Sequence, residues 1–400
     1  MSRMNSRERV VAALSHRQPD RLPLDLGSSI VTGINAMGYV RLKRHLGLGG
    51  PVRVPNVVLL LAEVEPAIVE RWGLDVLPVP RFFAAPEAPL SGRWREHPLP
   101  DGSPALFPEG LPLRVRADGS WELTEAGQPA SILAPGSGSF VPARFPLAGA
   151  TVEQLDAWQP ETIGQEELEF LSATARRLYE DTDKALFGWF GGSIFEQSQF
   201  LCGWEEFLVR LYGEPRFADL LLEKLTAAVI ADLSKYLQAV GRHIQVIGFG
   251  DDFGFQGGLQ VAPELFRSRI KPHLARIYAA ARAASPARVF LHSCGSVYAL
   301  IEDFIECGVD ILNPVQTSAA GMEPERLKRE FGERLCFWGG GADAQRILPL
   351  GTPEEVRRDV RRRIEVFAPG GGYVFAPIHD LQADVPPENV VAMYEEAASI

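Results

Sequence analysis

The sequence predicts a parallel α/β fold, narrowed to a (β/α)8 barrel of the TIM type with a β-rich insertion in its N-terminal half. Three observations predict it. Short β-branched or aromatic runs alternate with longer helical patterns over most of the 400 residues. Eight such runs can be counted, matching the strand number of that barrel. Most of them end in acids, imidazoles, a thiol or amides, and the C-terminal ends of the strands are where such a barrel builds its active site.

The first run, Arg21 to Leu26, carries Asp25 near its end, and the second is Asp75 to Val79. From about 93 to 148 the alternation stops and the chain becomes rich in Pro and Gly, with Arg114 to Leu123 reading as a hairpin around Asp118-Gly119. This stretch reads as a β-rich insertion within one barrel domain spanning 1–400, acting as a lid, a dimer contact or a structural flap. The third run, Ala185 to Phe190, leads into Gly191-Gly192-Ser193, and the fourth, Ile244 to Phe249, leads into Asp251 and Asp252. These acids orient a substrate, manage a proton or cap a helix.

The fifth run, Arg288 to Leu291, ends in His292-Ser293-Cys294-Gly295, the most informative segment of the chain. Residues two apart on a strand point the same way, so His292 and Cys294 can face one site. Imidazole and thiolate together suit Zn²⁺, although a buried Cys and a hydrogen-bonded His are also ordinary core features. Val297, Leu300, Ile301, Phe304 and Ile305 then form a helical stripe that stops at Gly308, so the motif sits at a strand-to-helix junction. The sixth run, Val309 to Leu312, is followed by Asn313 and Gln316. The seventh, Arg334 to Trp338, is followed by Gly339-Gly340-Gly341 and Asp343, and the eighth, Gly372 to Ala376, by His379 and Asp380. Between the last two, Thr352-Pro353-Glu354-Glu355 spells a helix start with a capping box.

Composition excludes several classes. A formal net charge of −11 argues against a general nucleic-acid surface, which needs clustered cations. The one basic run, Arg357 to Arg363, lies in an amphipathic helix pattern with Val356, Val360, Ile364 and Phe367 on the buried face, and reads as a solvated outer face. Four cysteines (202, 294, 307 and 336) are too few and too spread for a disulfide framework. Cys307 and Cys336 read as packing residues. No apolar run approaches the ~20 residues of a membrane span, and Met1 to Asn5 lacks the apolar stretch of a signal peptide, so the cytoplasm is expected.

The ordered series Gly250-Asp251-Asp252, Leu291-His292-Ser293-Cys294-Gly295-Ser296-Val297, Asp310-Ile311-Leu312-Asn313-Pro314-Val315-Gln316, Phe337-Trp338-Gly339-Gly340-Gly341, Leu348 to Val356, Pro369 to Tyr373 and Pro386 to Val390 resembles the uroporphyrinogen decarboxylase superfamily. Within it the chain looks closest to the zinc- and corrinoid-associated methyltransferases. The resemblance is strongest from about Ile247 to Tyr394 and implies a (β/α)8 barrel. In the methyltransferase branch, zinc is held by the His-x-Cys pair and a further Cys near the end of the last strand. Here that strand leads instead to His379, which is either a third ligand completing a His292, Cys294, His379 set or a histidine of the kind decarboxylases carry there, binding no metal.

The resemblance thus implies a methyltransferase that moves a methyl group between a small substrate, such as a methoxy compound or a thiol, and a corrinoid (cobalamin). Asp251, Asp252 and His379 are the expected catalytic groups, and Asp25, Asn313 and Gln316 the expected substrate contacts. No Asp-x-His-x-x-Gly cobalamin signature occurs in the sequence, so the corrinoid is expected free or on a partner protein; no nucleic acid or membrane partner is expected, and the family admits a homodimer. Two other readings stand beside this one: decarboxylation of a tetrapyrrole, and a non-catalytic binding barrel. Decarboxylases neutralise a many-carboxylate substrate with arginines after the first strand, whereas Leu26 to Val40 contains no Arg or Lys, with only Arg17 and Arg21 nearby.

Overall fold

A computed structural model describes residues 4–85, 88–90 and 92–400. The chain has the TIM-type (β/α)8 barrel fold class, and its contacts cluster into two compact units. One comprises the chain up to Arg144 with Asp183–Ala185 and Trp338–Ile400; the other comprises Phe145–Thr182 and Leu186–Phe337.

The second unit alternates parallel strands with helical connections. Its parallel strands run in spatial order Ala185–Gly191, Val246–Gly250, Arg288–His292, Ile311–Asn313 and Cys336–Trp338, with paired residues from Phe187 to Phe337. Val246–Gly250 is buried throughout and Arg288–His292 is buried after its first residue, which is why these runs are continuously apolar rather than alternating. The register is in phase at the strand ends: Gly250 pairs with His292 and His292 with Asn313. Helices Phe195–Cys202, Pro215–Val240, Lys271–Ala284, Ile301–Cys307 and Pro324–Phe331 fill the connections. Helix Ile301–Cys307 stops at Gly308, whose φ of 100° is the left-handed cap its glycine predicts.

The first unit carries the strand Val76–Val79, the backbone around Leu24, the strand Tyr373–Val374 and the start of the Gly339-Gly340-Gly341 segment side by side. Asp75 N–H donates to Leu24 O at 2.8 Å, Asp25 N–H to Phe375 O at 2.8 Å, and Gly339 N–H to Val374 O at 3.2 Å. The Arg21 to Leu26 run narrows to an isolated parallel bridge, Leu24 with Phe375. Pro23 lies in its middle and has no N–H to continue a ladder. Six further strands lie between Trp94 and Pro142; Leu113–Val115 and Trp121–Glu125 form an antiparallel hairpin whose turn holds Gly119 at φ 84°. The basic run of helix Pro353–Phe367 is occupied by acids: Arg357 meets Glu395, Arg361 meets Glu396, and Arg363 meets Asp359.

At the entry to the Val76–Val79 strand, Asp75 is fully buried and accepts from Arg9 at 2.7 Å, from both Arg21 nitrogens at 2.7 and 2.8 Å, and from Leu24 N–H at 3.0 Å. A buried carboxylate holding two guanidiniums is costly to break, because removing it leaves Arg9, itself 4% exposed, without that counter-charge. Asp75→Ala is therefore expected to lower unfolding free energy by about 3 kcal/mol, read as a drop in the urea midpoint at unchanged slope. A shift within a few tenths of a kcal/mol would mean that the network adds nothing to stability.

Candidate active site

The site-forming residues of the second unit hang on the in-phase strand ends. Because Gly250, His292 and Asn313 sit in one row, the residues just beyond them leave neighbouring strands at the same level. His292 is 5% exposed, and its Nδ1 lies 2.5 Å from Asn313 Oδ1. Its Nε2 lies 3.2 Å from Cys294 Sγ and 3.7 Å from Asp252 Oδ1. Cys294 is half-buried, and its backbone N–H donates to Asp252 Oδ1 at 2.7 Å. The neighbouring Gly295 N–H donates to Gln316 Oε1 at 2.9 Å, while Gln316 Nε2 donates to Gln256 Oε1 at 2.8 Å.

The turn after the strand is pinned from a second side. Ser293 accepts from Phe253 N–H at 3.1 Å and donates its own N–H to Asn313 O at 2.9 Å. Gly295 has φ 83°, and a Cβ there would lie 2.6 Å from the Gly254 carbonyl carbon. Glycine is required at this position on both counts, since the left-handed backbone and the close approach each exclude a side chain. Val315, fully buried at φ 57°, is a strained β-branched residue in the connection that carries Gln316.

Asp251, 1% exposed, accepts from the backbone N–H groups of Ile194 and Phe195 at 3.0 Å each and Glu196 at 2.7 Å. It thereby caps the start of helix Phe195–Cys202. Burial pushes its carboxyl up to about 7 against the pull of those three donors. Its partner Asp252 is the more exposed acid and faces the His292–Cys294 pair.

The sequence reading did not single out Glu196. It is half-buried at the first turn of the helix that Asp251 caps, and its carboxyl is raised well above the usual range by burial and by the charges of Asp252 and Asp251. Its signal in the sequence is an acid five residues beyond the Gly191-Gly192-Ser193 strand end begins, in the first turn of the following helix. Perturbed acids of this kind concentrate where chemistry is done.

The second unit thus brings together Asp251, Asp252, His292, Cys294, Asn313 and Gln316. Asp25 and His379 belong to the first unit. There His379 Nδ1 pairs with Asp380, which also accepts from Gln382 Nε2 at 2.8 Å. Asp25 is fully buried; its carboxylate accepts from Trp338 Nε1 at 2.8 Å and Ser28 N–H at 3.1 Å, and its carbonyl accepts from the Tyr394 hydroxyl at 2.7 Å.

Residues 132–400 match the family model described as Uroporphyrinogen decarboxylase (URO-D). Among similar curated proteins, Uroporphyrinogen decarboxylase from Chlorobaculum tepidum is 22% identical over 188 residues, covering 46% of this chain and 50% of that protein. The protein of that name from Methylococcus capsulatus is 26% identical over 265 residues, covering 63% of this chain and 69% of that one. The chain therefore spans about half the length of the Chlorobaculum tepidum relative it matches. In structure, the chain is similar over 99% of both lengths to a methyltransferase from Methanosarcina mazei, at a TM-score of 0.61 and 18% identity, which shows a shared fold. No helix of the described residues is long and apolar enough to cross a membrane.

Burial raises the Asp25 carboxyl to about 6 from an ordinary 3.8, partly offset by hydrogen bonds from Trp338, Ser28 and Thr32. The unfolded chain therefore releases this proton first. The stabilisation that Asp25 provides is complete below about pH 4 and is lost as pH rises through about 6. Asp25→Asn is expected to gain on the wild type by about 3 kcal/mol between those limits. Denaturant titrations of both proteins across the range check this, and parallel stability curves would remove Asp25 as the source.

Proposed function

The chain belongs to the uroporphyrinogen decarboxylase (URO-D) family, and from that premise we propose that it is a zinc-dependent methyltransferase of the family, moving a methyl group between a small substrate and a corrinoid. The observation that carries the reading is the convergence of His292 Nε2 and Cys294 Sγ at 3.2 Å. A tetrahedral zinc with Zn–N near 2.0 Å and Zn–S near 2.3 Å sets two such donors about 3.5 Å apart, so the pair fits the ion with little movement. His379 is the proposed third ligand, on the strength of the resemblance at the last strand. A set of two imidazoles and one thiolate leaves a position for substrate, the pattern of catalytic rather than structural zinc. When bound, the ion would supply Lewis acidity to a substrate oxygen or lower the pKa of a substrate thiol.

The remaining roles belong to the chain's own side chains. Asp252 holds the Cys294 backbone in place and offers its outer oxygen to a substrate proton. Glu196, kept protonated near neutrality by burial and by its acidic neighbours, is a proton donor for the leaving group. Asp251 positions Glu196 through the helix start rather than touching substrate. Gln316 fixes Gly295, and Asn313 fixes His292. The small substrate is a methoxy compound, an alcohol, an amine or a thiol, and the corrinoid comes free or on a partner protein.

Decarboxylation of a tetrapyrrole is the second reading, favoured by the names of the curated relatives. Against it, Leu26 to Val40 carries no cation, and Arg21, one of two nearby, is tied to Asp75 and to the Gly73 carbonyl. A polyanionic substrate needs several cations facing the pocket.

Freshly purified protein is expected to hold about one zinc per chain, lost in His292→Ala, Cys294→Ala and His379→Ala alike. Loss in the first two alone removes His379 from the ligand set. Absence of zinc, with none taken up on addition, ends the metal reading. Consumption of methylcobalamin on addition of candidate methyl acceptors then checks the transfer, while metal-independent turnover of uroporphyrinogen would establish the second reading instead.

A further inference from the structure

We propose that Asn313 is a positioning residue that locks His292 in the tautomer bearing its proton on Nδ1, so that Nε2 is the ring atom presented to the Cys294 thiol. The inference deepens the metal-site reading, and its consequence for zinc rests on that reading; the tautomer itself does not.

Three features carry it. The two side chains come from paired positions on adjacent parallel strands, so their contact is set by the sheet rather than by a mobile loop. Both are enclosed, His292 at 5% and Asn313 at 0% exposure, and the 2.5 Å contact from Nδ1 to Oδ1 is a hydrogen bond in which an amide oxygen can only accept. The ring must therefore donate through Nδ1, which leaves the Nε2 lone pair directed to the side where Cys294 Sγ lies at 3.2 Å. The partner amide is neutral, in a region already crowded with Asp251, Asp252 and Glu196. It orients the ring without adding a further carboxylate.

The same frame holds the second donor. Asp252 beyond one flanking strand takes the Cys294 N–H and Gln316 beyond the other takes the Gly295 N–H, so the thiol's backbone is fixed from both sides while Asn313 fixes the imidazole. Hydrogen-bond partners of metal-binding histidines commonly tune affinity by 10- to 100-fold, roughly the effect expected here.

The test uses full-length, metal-free protein labelled with ¹⁵N at histidine, at about pH 8 where an unperturbed ring is neutral. Long-range ¹H–¹⁵N correlation spectra read the tautomer, with His292 identified by the signals that vanish in His292→Gln. Zinc affinity is measured on the same samples by competition with a chromogenic chelator. The wild type is expected to show a protonated Nδ1. Asn313→Leu should give mixed tautomers and bind zinc about 10- to 100-fold more weakly, whereas Asn313→Asp, which keeps an acceptor at the same place, should retain the tautomer and most of the affinity. A proton on Nε2 in the wild type overturns the proposal, as does an Asn313→Leu protein matching the wild type in both tautomer and zinc affinity. Should the leucine variant not fold, the wild-type and Asn313→Asp spectra decide the tautomer by themselves. A wild type with the Nδ1 proton that takes up no zinc supports the role of Asn313 and overturns the proposed function.

Discussion

The in-phase register of three parallel strands is the constraint on which the rest of the site depends. Gly250, His292 and Asn313 pair in one row, and the contact of Asn313 with His292 and the approach of Asp252 to the His292–Cys294 pair follow from that alignment. A slip of one residue in either neighbour would turn its side chains to the opposite face of the sheet and remove Asn313 from the imidazole. The register is held by the continuous apolar burial beneath it, where Phe249, Leu291 and Leu312 occupy adjacent positions one step down. Packing and chemistry are thus the same structure seen at two levels of the strand.

Charge is distributed in opposite ways in the two units. In the first, the buried Asp75 carboxylate is matched by Arg9 and Arg21, an arrangement whose value lies in leaving none of the three unpaired. In the second, Asp251, Asp252 and Glu196 gather with backbone N–H groups rather than cations as their main named partners, and the carboxyls of Asp251 and Glu196 are driven upward. Such clustering costs stability. It also keeps Glu196 as a proton-bearing acid near neutrality, which is the state a general acid needs.

Much of the fold was legible because buried parallel strands read as unbroken apolar runs. The runs ending at Leu291, Leu312 and Trp338 each correspond to a strand, and the capping box at Thr352 and the glycine stop at Gly308 appear where side-chain chemistry predicts them. The first run was less legible, since Pro23 interrupts the ladder that its apolar neighbours suggest. At the site, the His-x-Cys spacing revealed the donors because the period of a strand is a local property. The identities of their partners were not local. Whether Asn313 meets a substrate or an imidazole depends on register between strands 21 residues apart, and Glu196 became notable only through acids 55 and 56 residues away. Asp25 likewise stands at a strand end in sequence, while its enclosure by Trp338 and Tyr394 arises from residues more than 300 positions on.

The choice of an amide rather than a carboxylate opposite His292 follows from the same electrostatics. A carboxylate at position 313 would make the ring more basic and a stronger donor to a metal, but it would be fully buried and would face Asp252 across the imidazole, whose Nε2 is already 3.7 Å from that acid. Burying that charge so close to Asp252 would cost folding stability, a cost that the neutral amide does not carry. A neutral acceptor avoids this cost. It fixes the tautomer through a hydrogen bond alone, so the donor pair is kept ready for a cation by geometry rather than by added charge.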